Sequence, residues 1–128
     1  MITKKYKKNI FDVITCMEII EHIKNKEKLI ELCKTMIKKE GFLLISTLNK
    51  NLCSLFTNII IAEKILKILP NNTHKYEDFI SPSKLCCMLY KNNFKIIDIK
   101  GIQYNPTYEK INFIKNLNSN YIICAKKI

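Results

Sequence analysis

Glu18, Glu21 and His22 stand close together in the chain, immediately behind the apolar run Phe11-Asp12-Val13-Ile14-Thr15-Cys16. Two carboxylates and an imidazole are hard and borderline donors, a set that can hold a divalent cation or exchange a proton with a substrate. The run from Phe11 to Cys16 alternates too little for a half-exposed strand and is too short for a buried helix. It reads as a strand covered on both faces, as in a parallel α/β sheet. On a helical turn behind that strand, spacings of three and one put Glu18, Glu21 and His22 on one side and Ile19, Ile20 and Ile23 on the other. Donors just past the carboxyl end of a strand occupy the place where open α/β sheets bind ligands. The same pattern also describes a solvated helix start, where the helix dipole favours carboxylates in the first turn. Spacing alone does not separate the two.

The elements needed to position those residues follow in order. Lys26 to Lys39 carries Leu29, Ile30, Cys33, Met36 and Ile37 at helical spacing, with Lys38 and Lys39 in its last turn and Gly41 just beyond. Phe42 to Leu48 is a second apolar strand, so strand, helix and strand form a right-handed βαβ unit. Leu52 to Leu69 is apolar almost all round, as a core helix or one lying against something oily would be. Ser81 can cap a helix that has Pro82 at its first position and turns Leu85, Met88 and Leu89 inward. Phe94 to Ile102 and Tyr121 to Ala125 read as strands, and Thr107 to Ser119 between them reads as a polar loop. Without a crossover helix, those two strands should pair antiparallel. His74 is read as a loop residue, and Met1 to Asn9 as a lysine-rich lead-in.

With 128 residues the chain is at most one domain, and its apolar content is ample for a core. The net charge of +11 comes from lysine alone, because the sequence contains no arginine. Arginine supplies the bidentate base contacts and stacking of typical nucleic-acid readers, so this charge argues against nucleic acid as a partner. Near anionic lipid, the same lysines would each contribute about 1 kcal/mol where well placed. The six cysteines show no Cys-x-x-Cys pair and no zinc-like spacing with the two histidines. Buried free thiols in a reducing compartment are expected. No stretch has the length and composition of a membrane span.

The run Cys16-Met17-Glu18-Ile19-Ile20-Glu21-His22 resembles the Cys-Met-Glu-x-x-Glu-His signature of the ubiquinone-biosynthesis O-methyltransferases. Those enzymes use S-adenosylmethionine (SAM) to methylate ring hydroxyls of polyprenylated quinone precursors. The resemblance extends from about Phe11 to the C-terminus. It includes Ser46-Thr47-Leu48-Asn49, Ala62-Glu63 with Ile65-Leu66, Thr73-His74 with Phe79-Ile80 and Pro82, Gly101 with Tyr104-Asn105-Pro106, and Asn120-Tyr121. It implies a Rossmann-like class I methyltransferase sheet, represented by its C-terminal half: two parallel strands and a terminal antiparallel pair, flanked by helices. Met17 would lie against SAM, and Glu18, Glu21 and His22 would bind a divalent cation, Mg²⁺ being the expected one. No catalytic residue is assigned.

Members of that family begin with a glycine-loop half that cradles the cofactor, and neither Gly41 nor Gly101 stands in such a loop. Residues 1–128 therefore read as a single partial methyltransferase domain, with residues 50–80 as a lid or substrate-facing insertion. The Phe11 to Cys16 strand would then be an open apolar edge, giving marginal stability or self-association. The implied partners are a polyprenylated quinone precursor, a membrane surface contacted peripherally and other quinone-biosynthesis proteins. The implied location is the cytoplasmic face of a bacterial inner membrane or the matrix side of the mitochondrial one. A non-catalytic scaffold module of a quinone-synthesis complex is the alternative.

Overall fold

Two parallel strands, β1 (Phe11–Met17) and β2 (Ile37–Leu48), are joined by helix α1 (Lys26–Met36), with a single 3-10 turn (Ile20–His22) where β1 ends. The chain then contributes helix α2 (Pro82–Lys91) and three strands, β3 (Phe94–Asn105), β4 (Lys110–Ile114) and β5 (Asn120–Lys127). The sheet order is β1-β2-β5-β3-β4, and every pairing after β1–β2 is antiparallel. This is the expected mixed α/β sheet, with β5 inserted between β2 and β3. The computed structural model describes residues 7–50, 79–105 and 107–128. The expected Leu52 to Leu69 helix, most of the proposed lid, Cys53, His74 and Met1 to Tyr6 lie outside the described residues. Among the described residues, no helix is long and apolar enough to cross a membrane.

Among the described residues, the helices pack on one face of the sheet. Cys16, Leu43, Ile45, Tyr121, Ile123 and Ala125 point from the sheet at Ile30 and Cys33 of α1 and at Leu85, Met88 and Leu89 of α2. Ser81 caps α2 as its sequence predicts, its side chain accepting from the Lys84 N–H at 3.4 Å with Pro82 in the first turn. The described cysteines are all free: Cys16 and Cys33 buried, Cys86 and Cys124 half-buried, and Cys87 exposed.

Three expectations are corrected. β1 is not covered on both faces: Phe11, Val13, Thr15 and Met17 are exposed while Cys16 is buried, because β1 is an edge strand and the described helices lie on one face only. Helix α1 stops at Met36 rather than Lys39, and Ile37 enters β2 directly with extended dihedrals. Ile37 pairs with Phe11 and Phe42 with Val13, so Lys38 to Gly41 form a bulge in which Glu40 adopts φ 67°. A Cβ at Gly41 would lie 2.7 Å from Ile37 Cγ2 and 2.8 Å from the Asp12 carbonyl oxygen, so this crowded bulge requires glycine. Finally, the expected loop from Thr107 to Ser119 contains β4, which pairs with an extended β3. Ile111 and Phe113 of β4 are exposed, although their alternation with Lys110 and Asn112 is that of a strand.

Candidate active site

The residues after β1 are shaped by two features of the parallel pair. Glu18 takes a left-handed φ of 52°, held by its N–H donating to the Ser46 carbonyl at 3.1 Å and to Ser46 Oγ at 3.2 Å. The 3-10 turn then closes with the His22 N–H donating to the Ile19 carbonyl at 3.0 Å. The left-handed bend at Glu18 and the turn that follows bring the Glu18 and Glu21 carboxyls together, whereas His22 is exposed. Ile20 is fully buried and Ile19 is exposed. The expected single face of Glu18, Glu21 and His22 opposite three isoleucines is not formed. Among the described residues, no group of three His, Cys, Asp or Glu side chains is placed to hold a metal ion.

Strand β2 supplies the hydroxyls that hold the two carboxyls. Ser46 Oγ donates to Glu18 Oε1 at 3.0 Å, and Thr47 Oγ1 donates to Glu21 Oε2 at 2.9 Å. Burial, then the negative charge of Glu21 and a hydrogen bond to it, push the Glu18 carboxyl up to about 7, against the lowering effect of the Ser46 hydroxyl. Glu21 is 1% exposed, and among the described residues its Oε1 has no hydrogen-bond donor. A buried carboxylate oxygen in that state is stabilised by a proton or by a cation. Carboxylate oxygens are the donor type that hard divalent ions take, but the described residues bring only these two carboxyls together.

Tyr121 completes the surroundings from β5. Its hydroxyl donates to the Ile80 carbonyl at 2.8 Å in the buried interior, and burial, then the charges of Cys86, Glu21 and Glu18, hold the phenol protonated far above its usual range. In the core, Cys33 also keeps its proton, through its hydrogen bond to Cys16 and through burial. Met17 ends β1 opposite Ser46 with its side chain exposed. A cleft of about 510 Å³ is lined by Lys24, Lys26, Lys84, Phe79 and Met88 among others, but by none of Met17, Glu18, Glu21 or His22.

Ser46, Thr47 and Tyr121 receive no role from the sequence, although all three fall in runs that carry the resemblance. Ser46 is 28 residues from Glu18, and only the parallel register brings them together.

A family model described as a methyltransferase domain matches residues 3–99. A ubiquinone biosynthesis O-methyltransferase of Colwellia psychrerythraea is 42% identical over 118 residues, 92% of this chain and 48% of that relative. One of Paraburkholderia xenovorans, of the same name, is 38% identical over 91% of this chain and 50% of its own length. The chain spans about half the length of these curated relatives. Among solved structures, a SAM-dependent methyltransferase from Archaeoglobus fulgidus superposes with a TM-score of 0.67 at 20% identity, over 97% of this chain and 62% of that one. A Thermotoga maritima SAM-dependent methyltransferase, described as a possible histamine N-methyltransferase, gives 0.67 at 16%, over 97% and 59%. These likenesses establish the fold.

Proposed function

Because the chain belongs to the methyltransferase-domain family, we propose that it forms the acceptor side of O-methyl transfer from SAM to a ring hydroxyl of a polyprenylated catechol or quinol in ubiquinone biosynthesis. The observation that carries this reading is the Glu18–Glu21 pair, held by Ser46 and Thr47 past the ends of two parallel strands. The names of relatives at 38 to 42% identity support the substrate class. In the reaction, the acceptor oxygen attacks the sulfonium methyl in line, a carbon–oxygen bond forms as the carbon–sulfur bond breaks, and S-adenosylhomocysteine leaves. The phenolic proton departs to a carboxylate or to water.

Met17 is the residue proposed to contact SAM. Glu18 and Glu21 are proposed to hold a divalent cation, with Mg²⁺ suited to their oxygens; His22, the third donor that the sequence resemblance implies, is exposed here and would have to turn toward them. When bound, such an ion lowers the pKa of a catechol hydroxyl and orients it. Glu21, buried against Thr47, is the fixed member of the pair, whereas Glu18 can hold or release a proton at its carboxyl near neutral pH. Residues 50–80 are proposed as the substrate-facing insertion. The lysine surface is proposed to rest peripherally on an anionic membrane, bacterial or mitochondrial, where a polyprenyl tail resides and other quinone-biosynthesis proteins assemble.

The test joins the preceding half of the Colwellia relative to this chain and follows conversion of a short-tailed prenyl catechol to its monomethyl ether. Glu21→Gln should lower kcat/KM by about 100-fold or more, and chelation of Mg²⁺ should do the same. Unchanged turnover in the variant would refute the role of the pair. The alternative of a non-catalytic scaffold predicts assembly with quinone-biosynthesis proteins and indifference to this substitution.

A further inference from the structure

The cleft of about 510 Å³ holds none of the residues assigned to methyl transfer. Its walls come from the residues that open α1, from Lys50 just past the end of β2, and from the segment that leads into α2. Lys24, Lys26, Lys50 and Lys84 all line it, and Glu27 is the one carboxylate among its described lining residues. Lysine supplies about one residue in six of the chain, but four of the ten described residues that line this cleft. The positive charge is therefore concentrated here beyond what composition gives. Among the described residues, Lys24, Lys26 and Lys84 form no ion pair with a carboxylate, whereas Lys38, Lys100 and Lys126 each do. Lys26 Nζ donates to the Ile23 carbonyl at 3.1 Å, which anchors its ammonium and leaves two further N–H bonds to donate. Asn25 Oδ1 and Ser81 Oγ accept from the Lys28 and Lys84 N–H groups and cap the two helices, so what distinguishes the cleft is its ammonium groups.

A cleft of that volume is on the order of 10 Å across, close to the Debye length at 0.1 M salt, so the four ammoniums act on one another and on any occupant. Low-dielectric walls focus their field into the concavity. A bound anion relieves the mutual repulsion, and a dianion gains about twice what a monoanion does from the same charges. That favours a phosphate monoester over a carboxylate. In a chain without arginine, phosphate recognition falls to lysine, which binds it as a point charge. Phe79, Ile80 and Met88, all buried, line the cleft as well and give it an apolar floor. The volume is that of a small-molecule site. We propose that this cleft binds a phosphate monoester carried on an apolar body, with the phosphate among Lys24, Lys26, Lys50 and Lys84 and the body on Phe79, Ile80 and Met88. Nothing in this site depends on methyl transfer.

The experiment adds phenyl phosphate to the whole chain at about 50 mM salt and follows the amide signals by nuclear magnetic resonance. Shifts gathered at residues 24–27 and 79–84 are expected, with a Kd of about 1 mM or tighter. Inorganic phosphate should bind several-fold more weakly, because it leaves the apolar floor uncovered. Lys24→Gln and Lys84→Gln, both at exposed positions, should each weaken phenyl phosphate binding by about 3- to 10-fold, whereas Lys100→Gln on β3 should leave it unchanged. Vesicles of phosphatidylcholine containing phosphatidic acid separate two sources of the same group. If they displace phenyl phosphate, a lipid head group is the carrier, and if they do not, the carrier is a soluble ester; the site stands in both cases. Absence of shifts in the cleft would overturn the proposal. So would an equal loss with Lys100→Gln, which is what diffuse attraction to a net charge of +11 produces.

Discussion

Glu18 is the residue at which acidity and folding are most directly linked. Its carboxyl is raised to about 7 by burial and by Glu21, above the unfolded value of about 4.3. The folded state therefore binds a proton that the unfolded state has already released between those two values. The stability contributed by the protonated form is complete below the unfolded pKa and is lost as pH rises through about 7. Thermal melts followed by circular dichroism should show the midpoint falling from pH 5 to pH 8, and Glu18→Gln should flatten that slope. A wild-type profile without it would refute the buried pair. The two carboxylates were legible as neighbours from their closeness in sequence, although the left-handed bend at Glu18 that joins them was not. Ser46 and Thr47 were not, since a contact between strands depends on register, which local spacing does not encode.

At the scale of elements, the informative join is between α1 and β2. Lys127 Nζ donates to the Lys34 carbonyl at 2.6 Å, the Ile37 carbonyl at 2.7 Å and Asn9 Oδ1 at 2.9 Å. A cation from β5 thereby satisfies carbonyls where the helix ends and lies at the negative end of its dipole. Lys127→Met should destabilise the chain by about 1 kcal/mol in urea unfolding, since two part-buried carbonyls lose a charged donor. A change within error would show that water replaces the ammonium without loss. The sequence pattern carried the helix on to Lys39 because Ile37 keeps the apolar spacing and terminal lysines suit a helix end. Ile37 is buried either way, so its hydrophobicity cannot say whether it belongs to a helix or a strand. The cation that marks the true end lies 90 residues away from it.

For the whole molecule, the parallel pair, the antiparallel strands at the end and the inward face of α2 were all readable, because each rests on periodicity or on the length of a connection. What periodicity could not show was one-sidedness. The apolar β1 suggested cover on both faces, yet Phe11 and Val13 are exposed. A continuous apolar face of this kind should bind a hydrophobic reporter dye when the chain is alone. Fluorescence of such a dye should be strong with the native chain and fall several-fold with Val13→Asp. Equal fluorescence in the two would place the dye elsewhere.

The bond from Lys127 to Asn9 ties the last strand to the residues that precede the first. Glu18 lies at the opposite end of β1, whose seven residues reach about 23 Å at the usual rise of a strand. A linker, fluorophore or surface anchor attached next to either Asn9 or Lys127 would therefore leave from the same pole of the molecule, with the carboxyl pair pointing away from the support.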